Sequence, residues 1–427
     1  MEKHCRDKFL YWRQRVFFSI FISWATFHFV RKSFSAVIPW MKADLGFSVV
    51  EIGFLSTAFY AFYSFSKLFC GYISDSSNAR YILSGNLIVT GLMNIVFGAS
   101  SSLPIMMICL VVSSIAQAFS WPACTKLLTF WCSNKERGKW WGLCGVGQNL
   151  GAGLIPVFAG VVAVYLSWRW AMYLSGVISL VIAGVLVFTV RDKPSSVGLD
   201  PILRSPSEKA NEKTCDKKNS FLSVMKKYIF TNVPFLIFSA SGLFLYIVRS
   251  AVNDWMPLFL IESRGYENMI VANSTISWFE IGGLLGGVVS CWASDVIFKA
   301  DRIRTNIFLA SFLFICVGVF YFVPPNHIIM DSFFMGVIGF LLFGFQGVFG
   351  LTTAEMVSHS YAGTANSFGG FVCNIGAAIS GLPLAVIIKD YGWDTFFESI
   401  ILCSFLTLVL VVLAQKLLFR GKKVPYA

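Results

Sequence analysis

Six charged side chains lie deep inside apolar runs of this 427-residue chain: Arg31, Lys32, Lys67, Arg249, Asp254 and Glu280. Arg31 and Lys32 follow the last flanking cation, Arg15, by about fifteen residues. At a helical rise of 1.5 Å that is roughly 22 Å into a hydrocarbon layer about 30 Å thick. A lipid-exposed charge at such depth costs at least about 2.5–3.5 kcal/mol, so these groups must pair or face a polar cavity. Two acids cannot neutralise four bases, and a surplus near +2 remains. A dianion answers that surplus. A phosphate ester carries about −1.5 to −2 at neutral pH and offers three acceptor oxygens. The planar fork of arginine suits it bidentately, and lysine adds a compact charge.

Each residue has a functional and a structural reading. Arg31 and Arg249 are read as phosphate ligands, against the alternative that each is tied to an acid. Lys32 points about 100° away from Arg31 around the helix, so both can hardly grip one small anion equally. It is read either as a ligand or as the partner of Glu280 in a gate or strut. Lys67 lines a cavity or forms a structural pair. Asp254, nearer the outer end of its segment, is read as a structural or gating partner. His28, one turn before Arg31, is read as a wall residue, with proton carriage as the alternative. Gln148 and Asn149, with Asn374 as a repeat counterpart, are neutral polar groups suited to sugar hydroxyls or phosphate, or to holding helices together. Asp75, Arg80, Glu136, Arg137 and Asp295 fall in polar loops and read as an ion network that forms in one state and breaks in the other.

The elements that must position these groups follow from composition. The chain is 56% hydrophobic and only 13% charged, about half the charged fraction of a soluble protein. Apolar runs long enough to span a bilayer fall near 16–40, 51–74, 81–100, 104–131, 139–165 and 168–190. They resume near 232–260, 270–297, 305–323, 332–357, 364–388 and 393–419. The expected fold is an all-α polytopic membrane protein with twelve transmembrane helices in two six-helix halves, 1–190 and 230–427, joined by a flexible linker, 191–229. Lys and Arg concentrate in the N-terminal segment, the linker and the tail, which places both termini on the cytosolic side. The net charge of +12 is therefore topological, and no nucleic-acid partner is expected. The eleven cysteines show neither framework spacing nor a CxxC pair, so neither disulfides nor a metal is expected. No GxxxxGK[ST], HExxH or GxSxG occurs, so neither an enzyme nor a nucleotide-driven pump is indicated, and no cofactor is expected.

The two halves repeat each other. Arg31 precedes Pro39 by eight residues, and Arg249 precedes Pro257 by eight. Arg31 precedes Ser74-Asp75 as Arg249 precedes Ser294-Asp295, with 44 and 46 residues to the aspartate. Gly138 precedes Asn149 by 11, and Gly363 precedes Asn374 by 11. Trp168 and Trp393 each follow those asparagines by 19. In duplicated folds of this kind the substrate site is expected near the midplane, where the repeats meet.

The segments "RKSFSAVIPW", "SKLFCGYISDSSNAR", "WPACTKLLTFW", "ERGKWWG" and "VRSAVNDW", in that order, resemble the organophosphate:phosphate antiporters of the major facilitator superfamily. The resemblance covers about 17–418. "SWFEIGGLLGG" and "NIGAAISGLPLAVIIKDYGW" look most like the hexose-phosphate branch, including glucose-6-phosphate transporters. The resemblance implies that Arg31 and Arg249 bind phosphate, and that Lys32, Lys67 and Glu280 join the charge network that opens and closes. Gln148 stands where the glycerol-phosphate branch has histidine, which argues against glycerol 3-phosphate. The implied activity is exchange of glucose 6-phosphate for inorganic phosphate; a monomer in a bacterial cytoplasmic membrane is expected. Two other readings stay open. One is a hexose-phosphate sensor of the same fold that signals to a membrane histidine kinase. The other is a proton-coupled carrier of another organic anion.

Overall fold

In the computed structural model the described residues are 2–132, 134–199, 229–299, 301–325, 327–357 and 362–421. Their side chains are described except at 2–6, 68, 71–72, 75–76, 129, 134–139, 141–143, 354, 362–364 and 419–421. The side chains of Asp75, Glu136 and Arg137, and most of the expected linker, therefore lie outside the described residues.

Thirteen α-helices run through the described chain: α1 Glu2–Leu45, α2 Val49–Ser76, α3 Ala79–Ala99, α4 Leu103–Ala118, α5 Ser120–Trp131, α6 Asn134–Tyr165 and α7 Trp168–Thr189. The series continues with α8 Val233–Glu262, α9 Met269–Val296, α10 Arg302–Tyr321, α11 Ile328–Glu355, α12 Ala362–Ile379 and α13 Leu382–Gly421. Helix is the required answer for chain in hydrocarbon, because every backbone N–H and C=O must be satisfied within the segment. Ten stretches among the described residues are long and apolar enough to cross a membrane. The last of them, Ala365–Leu418, has 54 residues, more than twice the about 20 that one crossing needs. It is interrupted at Ser380–Gly381 and again at Gly392, whose φ of 82° and ψ of −175° no helix accommodates. α1 is not among the ten; His28, Arg31 and Lys32 interrupt its apolar run. Large apolar side chains such as Phe18, Phe65, Phe188, Ile315 and Phe333 are exposed on these helices, as a lipid-facing surface requires.

By contacts the chain divides into two compact units. One holds Met1–Val37 and Phe62–Lys217, the other Ile38–Ala61 and Lys218–Ala427. In the first unit, α3 and α7 pack so closely that a β-carbon on Gly91 would lie 2.8 Å from the Gly176 carbonyl oxygen. Asn94 donates there to Ser33 Oγ at 2.9 Å and to Ser175 Oγ at 3.0 Å, an amide joining α1, α3 and α7. In the second unit α9 lies on α11 along glycines. A β-carbon on Gly282 would meet the Gly336 oxygen at 1.9 Å, and one on Gly286 the Phe340 oxygen at 2.0 Å. With no hydrophobic drive between helices in lipid, such small-residue contacts let dispersion and polar bridges hold the bundle.

The second unit also contains the turn between α1 and α2 and the first half of α2. Thr57 explains why. Its hydroxyl donates to the Ala378 carbonyl at 2.9 Å and accepts from the Leu382 backbone N–H at 2.7 Å. Trp255 Nε1 donates to the Ser380 carbonyl at 2.8 Å. Backbone groups released by the break between α12 and α13 are thus bound by side chains of α2 and α8. Nearby, Lys42 pairs with Glu262, which also accepts from Trp393 Nε1 at 3.3 Å.

Candidate substrate site

Arg31 lies on α1 of the first unit, half-buried. Its Nε donates to Gln117 Oε1 on α4 at 2.7 Å. Its guanidinium carbon sits 4.3 Å from the centre of the Tyr63 ring, and Lys67 Nζ lies 5.0 Å from the same ring. Tyr63 and Lys67 are four residues apart on α2, the spacing that stacks side chains on one helix face. One phenol ring thus carries two cations, each attracted by its negative face.

Arg249 lies on α8 of the second unit, also half-buried. Its Nη1 donates to Gln346 Oε1 on α11 at 2.8 Å. Its guanidinium sits 4.5 Å from the Phe343 ring and 5.3 Å from Tyr246. The repeat seen in spacing is therefore repeated in chemistry. In each unit an arginine bonds a glutamine carboxamide and lies over aromatic rings.

The helices that hold these arginines are set by the same contact in both units. A β-carbon on Gly151 of α6 would lie 1.9 Å from the Ala25 oxygen of α1, and one on Gly376 of α12 would lie 2.0 Å from the Leu243 oxygen of α8. Ala25 and Leu243 each precede their arginine by six residues; Gly151 and Gly376 each follow their asparagine by two.

The other expected residues are placed as follows. Lys32, His28, Asn149, Asp254, Glu280 and Asn374 are buried, and Gln148 is half-buried. His28 packs edge-on against Trp24 at 4.7 Å. Asp254 accepts from Tyr60 at 3.4 Å. Asn374 donates its amide to the Gly370 carbonyl one turn back, at 2.6 Å. Asp295 pairs with Arg302, which also reaches Glu355 at 3.4 Å and Ser294 Oγ at 3.0 Å. Arg80 lies over Tyr81 at 5.4 Å. Lys126 donates to the Ser77 carbonyl at 2.5 Å and lies 3.8 Å from Asp192, which accepts from the first backbone N–H of α3. That makes it a brace at the start of α3.

Sequence reasoning missed Gln117, Gln346, Tyr63, Phe343 and Glu355. For Gln117 and Gln346 the signal was present: each is a neutral amide inside a run otherwise suited to hydrocarbon. Among the described residues no group of histidine, cysteine, aspartate and glutamate could hold a metal.

A family model described as Major Facilitator Superfamily matches residues 16–381. The chain belongs to that superfamily. With its apolar spanning stretches, this chain is a multi-pass membrane protein of that superfamily and not an enzyme. It is 37% identical to the "Probable hexose phosphate transport protein" of Chlamydia muridarum, over 95% of this chain and 91% of that protein. It is 34% identical to the "Membrane sensor protein UhpC" of Salmonella typhimurium, over 96% of this chain and 93% of that protein. In fold it resembles a crystal structure of a point mutant of the nucleoside transporter NupG, with a TM-score of 0.73 at 12% identity, covering 95% and 99% of the two chains. These relationships agree with the organophosphate:phosphate antiporter resemblance carried by the sequence motifs.

Proposed function

We propose that this protein carries a hexose phosphate, glucose 6-phosphate, across the membrane in exchange for inorganic phosphate. The observation that carries the reading is the matched pair Arg31–Gln117 and Arg249–Gln346, 2.7 and 2.8 Å long. Each contact orients a guanidinium and leaves its charge in place for an anion. The likeness to a hexose phosphate transport protein over nearly the whole chain supports the sugar.

In this reading Arg31 and Arg249 bind the phosphoryl group, Lys67 adds charge, and Gln148, Asn149, Asn374 and His28 line the site. Closing an empty site would strip water from its cations, which is costly. A bound dianion removes that penalty, and the two six-helix halves then rock to open the other side. Only the loaded carrier crosses readily, so exchange is favoured over uniport. Lys32, Asp254, Glu280, Asp75, Arg80, Glu136, Arg137 and Asp295 belong to the charge network of that movement. We place both termini and the linker, 191–229, in the cytosol, and the protein as a monomer in a bacterial inner membrane.

The test is uptake of labelled glucose 6-phosphate by the purified protein in liposomes preloaded with phosphate. Uptake that is equal with and without internal phosphate overturns the exchange.

The 34% identity to a membrane sensor favours a second reading, hexose-phosphate sensing through a membrane kinase. The same liposomes separate the two. A sensor binds hexose phosphate there and exchanges none.

A further inference from the structure

Gln117 and Gln346 sit at corresponding places in the two units, on α4 and α11, and each accepts from its unit's arginine. A guanidinium has five donors and no acceptor, so the amide oxygen must face it. Gln117 is 1% exposed, and its own Nε2 donates to Ser113 Oγ one turn back at 3.0 Å. That second bond fixes the amide, and with it the position of Arg31 Nε. A carboxylate here would hold the arginine as well but would cancel its charge. An apolar residue would keep the charge but leave the fork unheld. A carboxamide is the side chain that does the first without the second.

We infer that Gln117 and Gln346 are positioning residues that aim Arg31 and Arg249 at a phosphoryl group while leaving both charges available to it. The inference rests on the phosphate-binding role proposed above for those arginines. It implies an asymmetry between substitutions at the same two positions. Gln117→Glu and Gln346→Glu, though nearly equal in size to the native side chain, should be more damaging than Gln117→Ala and Gln346→Ala, because the introduced acid competes with the substrate.

The experiment uses the full chain in liposomes with phosphate–phosphate exchange. The alanine variants should raise KM about tenfold with a smaller change in kcat, the scale of one hydrogen bond to a charged group. The glutamate variants should lose exchange about a hundredfold at pH 7.5. Paired with the guanidinium, the new carboxyl stays ionised on mild acidification, so that loss should persist. A merely structural role predicts the larger loss in the alanine variants, which cut the side chain back. Phenylglyoxal labelling, read by peptide mass spectrometry without any substrate, supplies an independent arm. Losing the acceptor weakens the hold on the protonated guanidinium. Gln117→Ala should therefore speed labelling of Arg31 and not Arg249, and Gln346→Ala the reverse. If wild type exchanges no phosphate, the proposed function falls, and the labelling arm still decides the pairing. Unchanged KM and labelling in both alanine variants, or glutamate variants as active as wild type, would overturn the inference.

Discussion

Gly151 and Ala25 touch through backbone: a β-carbon on Gly151 would lie 1.9 Å from the Ala25 carbonyl oxygen, and one on Gly376 would lie 2.0 Å from the Leu243 oxygen in the same way. No side chain can occupy either place unless the helices separate. Gly151→Ala or Gly376→Ala should therefore cost about 1–3 kcal/mol through overpacking and shift the touching helix, whose arginine lies six residues past the contact. Gly145→Ala, where the added carbon meets nothing within 4 Å, should be neutral or slightly stabilising. Thermal unfolding in detergent compares the three; equal midpoints would refute the close-contact account.

Arg31→Lys keeps a positive charge and loses the Nε that Gln117 holds at 2.7 Å. The ammonium also lacks the planar fork that meets two phosphate oxygens at once. Exchange should fall at least about tenfold in kcat/KM, with little change in melting temperature. Arg249→Lys should behave alike, since Gln346 holds Arg249 in the same manner. Wild-type exchange in either variant would remove that residue from the site.

Thr57 satisfies two backbone groups at the break before α13, the Ala378 carbonyl and the Leu382 N–H. Thr57→Val keeps the volume and deletes both bonds, leaving the Leu382 N–H unpaired, while the Ala378 carbonyl still accepts from the Gly381 N–H at 3.3 Å. The expected destabilisation is about 1–3 kcal/mol for the group left without a partner. Thr57→Ser, which restores the hydroxyl, should return most of it. Unfolding midpoints of the two variants decide the matter.

Two ion pairs of the second unit should differ widely in weight. Lys42–Glu262 is partly exposed, with side chains 28% and 31% accessible, and such pairs contribute about 0–1 kcal/mol. Arg264 is buried 3.8 Å from Asp331, which accepts from Tyr266 at 2.8 Å. It also donates to the Phe320 and Pro324 carbonyls, at 3.0 and 2.9 Å, and so caps the end of α10. Burial pulls its guanidinium below the ordinary arginine value, with Asp331 and Tyr266 opposing. Arg264→Met strands a buried carboxylate and should cost about 3–5 kcal/mol, whereas Lys42→Met should stay under about 1 kcal/mol. A reversed order would contradict the burial argument.

Much of this protein was legible in its sequence. Long apolar runs announce spanning helices because lipid leaves the backbone no other partner. Arg31 and Arg249 stood out because charge in hydrocarbon is too costly to be incidental. Their equal distances to Pro39 and Pro257 exposed the repeat, since duplicated segments keep their internal spacing. What a neighbour in space contributes was not legible. Gln117 is 86 residues from Arg31, and Gln346 is 97 from Arg249; nothing local ties either pair together. Nor does hydropathy say that residues 38–61 pack with the second unit, which follows from Thr57 meeting a helix break 321 residues later. Hydropathy and spacing are properties of one segment. Which amide reaches which guanidinium depends on how two helices lie against each other, α1 by α4 and α8 by α11, and that arrangement exists only once the chain has folded.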